Sequence, residues 1–116
     1  MAITERGRAR IEAEVIASLQ GSFPALDWAA MGAYNLERMT THGIRRSAEM
    51  REVAKTIQEL GIAPLMATAT AEHQATMGAL RLKERCGGSL PEGLGAVLDA
   101  IGRLEPWSQA QPDAAA

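Results

Sequence analysis

Aromatic residues are scarce in this 116-residue chain: Phe23, Trp28, Tyr34 and Trp107 make up the whole set, 3% of the sequence. β-Branched residues are sparse as well. Ala, Leu, Met, Glu and Arg, all good helix formers, dominate instead. That balance excludes a β-sandwich or barrel. Cys86 is the single cysteine, which excludes a disulfide framework and a cysteine-based zinc site. Two histidines and one cysteine do not supply the clustered ligands a zinc ion needs. An excess of one charge is also missing. Twelve basic residues face fourteen acidic ones for a net charge of −2, without the clustered basic face expected of a nucleic-acid binder. No apolar run approaches the ~18 residues of a membrane span. The N-terminal stretch carries arginines but no following apolar core, so it is not a signal peptide. The expectation is a cytoplasmic protein with no nucleic-acid or membrane partner.

What remains is 47% hydrophobic residues, set at helical rather than alternating spacing. The predicted fold is all-α, with about five helices in an orthogonal or bundle-like array. A single helical domain is expected over 4–105, with a disordered tail over 106–116. The first helix spans about Thr4 to Gln20, on the stripe Ile11, Val15, Ile16 and Leu19, with Gly21 as its stop. The second runs from about Ala25–Asp27 to Thr40, with Trp28, Met31, Asn35 and Met39 on one face. The third runs from Gly43 to Leu60. Met50, Val53, Ile57 and Leu60 form its core-facing arc, Gly61 closes it and Pro64 follows. The arcs of the second and third share one phase, so a single long helix is conceivable, but Thr40-Thr41-His42-Gly43 favours a break. The fourth helix is expected over Pro64–Arg85, with Met66, Thr70, His73, Met77 and Leu80 facing inward. The fifth starts at a capping box, Ser89 to Glu92, and carries Leu94, Val97, Leu98, Ile101 and Leu104 up to Pro106. The methionines on these stripes read as core filler, and His73 as a hydrogen-bonded core or interface histidine.

Standard catalytic motifs are absent. Gly93-Leu94-Gly95 lacks the third glycine and the preceding strand of a dinucleotide loop. Gly87-Gly88-Ser89-Leu90-Pro91 has proline where a nucleophile elbow needs glycine. A helix-turn-helix reading fails because the third helix alternates in sign. One constellation is less ordinary. The arc of the third helix extends backwards through Arg46, Glu49 and His42, with Arg45 offering Glu49 a second pairing at i,i+4. These four polar residues close a buried seam as ion pairs, sit on an exposed first turn, or border a ligand cleft. An arginine there suits bidentate capture of a carboxylate or phosphate.

Arg46-x-x-Glu49-Met50-x-Glu52-Val53-Ala54, followed by Leu60-Gly61-Ile62-x-Pro64, resembles the C-terminal helical domain of a bacterial branch of the 6-phosphogluconate dehydrogenase-like, β-hydroxyacid dehydrogenase superfamily. Trp28 and Arg38-Met39 fit less specifically, and the resemblance covers roughly residues 10–85. It implies a helical domain that caps the substrate cleft and forms the dimer interface beside a Rossmann domain holding NAD(P). It implies a small anionic substrate at His42, Arg45, Arg46 and Glu49, and no catalytic or cofactor-binding residue in this chain. The family's glycine-rich loop and its catalytic-lysine helix have no counterpart here; only Lys55 and Lys83 exist. A substrate-capping and dimerisation module, inactive alone, is therefore expected, with a separate Rossmann-domain chain as a candidate partner. The competing expectation is a stand-alone helical oligomeric interaction protein with no catalytic role.

Overall fold

The computed structural model describes residues 4–104, and every regular element there is an α-helix. The helices are α1 (Glu5–Ser22), α2 (Trp28–Glu59), α3 (Leu65–Ala79), α4 (Leu82–Arg85) and α5 (Leu94–Gly102). The all-α expectation holds. Among the described residues no helix is long and apolar enough to cross a membrane. The expected tail over 106–116 lies outside the described residues.

The chain divides into two compact units. One holds the residues up to Leu36 together with those from Leu90 on; the other is Glu37–Ser89. In the first, Thr4 caps α1, its hydroxyl accepting from the Gly7 amide at 2.9 Å. The turn into α2 is held by Gln20. Its side-chain amide donates to the Pro24 and Leu26 carbonyls and its oxygen accepts from the Trp28 amide. Asp27 then caps α2 through the Ala30 amide, satisfying a donor that a helix start leaves open. Arg8 joins α1 to α5. Its guanidinium donates to Glu12 at 2.5 Å and to Asp99 at 2.8 Å. Val97 and Ile101 of α5 are buried, and Leu94 packs against Gly32 of α2.

The second unit is built on small residues. Thr40, Gly43 and Ser47 are the buried positions of α2, and Ala67, Ala71 and Met77 those of α3. The Ser47 hydroxyl donates to the Ala71 carbonyl at 2.8 Å across this seam. Because Ser47 meets Ala71 while Gly43 meets Gly78, the two helices run antiparallel. Gly61, at φ 84°, ends α2. Its amide donates to Gln58 and that of Ile62 to Ile57, the Schellman pairing that left-handed glycine permits. Leu80 and Leu82 complete the core.

Four expectations are corrected. The break at Thr40–Gly43 does not occur; α2 is continuous from Trp28 to Glu59. Gly43 serves close helix packing there and not a turn. The predicted Pro64–Arg85 helix stops at Ala79, and Arg81 at φ 51° opens a separate turn, α4. The expected apolar arcs are buried only in part: Met77, Leu80, Val97 and Ile101 are buried as expected, but others are not. Val53 and Leu60 are exposed, as is Met66 at 82%, and Thr70 and His73 also face solvent, so His73 is no core histidine. Small side chains let the two backbones approach, which turns the seam toward Gly43 and Ser47 and leaves the large residues outside. Finally, Ser89 and Glu92 form no capping box. The α5 cap is Gly93, with no side-chain bond. Pro91 disfavours a helical conformation at Leu90, so the helix starts after it.

Candidate functional site

The polar row of α2 lies within the second unit. Rotating 3.6 residues per turn, Arg38, His42, Arg45, Arg46 and Glu49 share an arc roughly opposite the Thr40–Gly43–Ser47 seam. Burial of that seam therefore turns these residues away from the α2–α3 contact, and they do not extend the buried face as the sequence pattern implied. Arg38, His42 and Arg46 are nonetheless half-buried, while Arg45 and Glu49 are exposed.

The carboxylates near this row are already engaged. Glu49 accepts from Arg45 at 2.9 Å, in a pair whose side chains are each more than half exposed. The structure does not bring Arg46 to Glu49. Glu37 accepts from the Thr41 hydroxyl at 3.1 Å and from Lys83 of α4 at 3.4 Å. Burial pushes the Glu37 carboxyl up. The Thr41 and Lys83 hydrogen bonds, with the charges of Lys83 and Arg38, outweigh it and hold the group below its ordinary value.

Two guanidiniums are left over. Neither Arg38 nor Arg46 forms a hydrogen bond or ion pair with a described residue, and the buried Nε of Arg38 has no acceptor. Between them lies His42. Burial lowers its imidazole below the ordinary range, and the charges of Arg38, Arg45 and Arg46 lower it further, against a smaller opposing pull from Glu37. The ring is therefore neutral at pH 7, flanked by two guanidiniums, Arg38 and Arg46, that make no hydrogen bond to a described carboxylate. Such a row attracts a carboxylate or phosphate, which planar guanidiniums bind with paired hydrogen bonds.

Of the predicted residues, the structure pairs Arg45 with Glu49 and sets His42 beside Arg46. The sequence reading missed Arg38 as part of the row and missed Lys83 and Glu37 as a pair. Thr41 follows Glu37 by one turn, a local signal, but the link from Lys83 spans 46 positions and leaves no periodic trace.

Gly95 faces the Glu12 carboxylate, 3.6 Å from where its β-carbon would stand, and Arg8 pairs with that carboxylate. Among the described residues no three His, Cys, Asp or Glu side chains cluster as metal ligands would. The sequence model of one domain family, described as a domain of unknown function (DUF1932), matches residues 7–77. No curated protein matches the chain, and no solved structure does.

Proposed function

The chain belongs to the DUF1932 domain family, and on that premise we propose that it is the substrate-capping and dimerisation module of an NAD(P)-dependent hydroxyacid dehydrogenase-like protein. One observation supports the reading most directly. Arg38 and Arg46 stand half-buried and unpaired on either side of His42, while Glu37 and Glu49 are satisfied by other partners. In this reading the row receives the carboxylate of a small hydroxy acid, Arg46 supplies the fork, and the Arg45–Glu49 pair holds the next turn. Cofactor binding is assigned to a Rossmann domain outside these residues, on the same polypeptide or on a separate chain. Hydride transfer requires that domain to hold the nicotinamide against the substrate, so the module alone is inactive.

The dimerisation half rests on a second surface. Leu60, Ile62, Leu65 and Met66 are 60–82% exposed around the Gly61 turn, and an apolar patch of that kind marks an interface. This patch also suits the alternative, a helical oligomeric interaction protein without ligand chemistry. Titrating the protein with small hydroxy acids while recording amide resonances separates the two. The capping reading expects shifts confined to 38–46 that Arg46→Gln abolishes. An unresponsive row, in a protein that still self-associates by light scattering, would favour the alternative.

A further inference from the structure

We infer that Arg38, His42 and Arg46 form one oxyanion site that takes up a proton on His42 as it fills. This inference rests on the row being an anion site and adds the regulation of that site by pH. The three residues are spaced four apart, so each rises about 6 Å along the axis beyond the last on one helix face. The central member is the only one that titrates near neutrality.

The charges around the ring explain the coupling. On its own helix His42 is opposed by Arg38, Arg45 and Arg46 and favoured only by Glu37. From α4, Lys83 faces Glu37 and takes up that carboxylate, while Glu84 pairs with Arg81 and Arg85 donates to the Leu80 carbonyl. From α3, Glu72 and His73 are exposed. Burial and these charges together hold the imidazole neutral. A neutral ring offers one N–H donor and turns a lone pair on its other nitrogen toward anything bound there. An anion between the guanidiniums offsets the share of that lowering which their charges add to burial, and its oxygens are met by a second N–H once the ring is charged. Binding and protonation thus favour each other reciprocally. A doubly charged oxyanion gains most, because the filled row carries three positive groups.

Sulfate is the probe, since its charge stays constant across the window in which histidine titrates. His42 and His73 are the two histidines, so His73→Gln leaves a single imidazole to follow by NMR. In sulfate, His42 should titrate at higher pH than in chloride of equal ionic strength. Calorimetry should show proton uptake and affinity tightening severalfold from about pH 7.5 to about pH 5.5. His42→Gln should weaken sulfate binding and lose that slope, and Arg46→Gln should lose the binding. An unchanged His42 titration beside sulfate binding that Arg46→Gln removes would overturn the coupling and leave the anion site standing. Sulfate that moves no resonance in 38–46 at millimolar concentration would overturn both. The imidazole titration needs no variant in the row, so it stands even if one of them folds poorly.

Discussion

Gly43 of α2 and Gly78 of α3 cross backbone to backbone. A β-carbon added at Gly43 would stand 2.2 Å from the Gln74 carbonyl oxygen and 2.8 Å from the Gly78 amide nitrogen; one added at Gly78 would stand 2.6 Å from the Ile44 nitrogen. These neighbours are main chain and cannot swing aside. Gly43→Ala should therefore force the helices apart and lower stability by about 2 kcal/mol or more. Gly21→Ala is the control. It lies in α1 with nothing within 4 Å, and alanine there should add up to ~1 kcal/mol. Urea unfolding of the two variants checks both signs. An innocuous Gly43→Ala would mean that the crossing is looser than described.

Arg81 holds φ 51°, ψ 49° between α3 and α4. For a residue with a β-carbon this conformation costs roughly 1–2 kcal/mol. Its ion pair with Glu84 is long, at 3.4 Å, and exposed, so little is lost with it. Arg81→Gly should raise the melting temperature. A fall would show that the guanidinium contributes more than the backbone strain takes away.

The fate of these two positions shows what could be read in advance. The helix ends at Gly21 and Gly61 carried local signals and lie within two residues of the observed ends. Gly43 read as part of a helix break, and nothing local singled out Gly78, because their role is a contact between helices distant in sequence. Once they set the seam, the arc of Val53 and Leu60 turned outward, and Arg46 and His42 with it. The residue types of the polar row were legible. Their phase relative to the core was not, since hydrophobic periodicity assumes that large side chains are the buried ones. Arg81 gave no warning, because nothing local marks an arginine for a left-handed turn.

Glu37 should make the protein acid-sensitive. Its carboxyl sits below the ordinary value in the fold, so the unfolded chain binds the proton more readily. The stabilisation is present above the ordinary carboxylate range and is lost as pH falls through the folded value. Glu37→Gln should flatten that acid limb and strand Lys83, whose side chain is 40% exposed and can turn to water. The penalty at pH 7 should accordingly stay modest, about 1 kcal/mol. An acid limb of unchanged slope would remove Glu37 as its source.

His42 carries the opposite partner but the same sign. Its ring is held below the ordinary 6.5, so between the folded value and 6.5 the unfolded state again holds more protons. Stability should rise with pH through that window and level off above it. His42→Gln should remove the rise. Unfolding midpoints in chloride at about pH 5.5 and about pH 7.5 test it. A wild-type protein equally stable at both would contradict the assignment.

Arg45 and Arg46 are adjacent and should behave differently. Arg45 forms an exposed i,i+4 pair with Glu49, a contact worth ~0.3–0.5 kcal/mol. Arg45→Ala should cost about that and leave anion binding close to wild type, apart from a weaker long-range field. Arg46 has no carboxylate to release. Removing it relieves repulsion with the neighbouring cations and strands no buried charge, the event that makes breaking a buried pair costly. Arg46→Ala should therefore change stability by less than about 1 kcal/mol, and in low salt its sign should be neutral or favourable. Its effect should appear in binding, as loss of the response of residues 38–46 to sulfate. Melting curves of both variants, each with and without sulfate, give four comparisons. Sulfate should raise the melting temperature of wild type and Arg45→Ala but not of Arg46→Ala. A large loss of stability in Arg46→Ala that sulfate leaves untouched would make Arg46 a structural residue and remove the anion site.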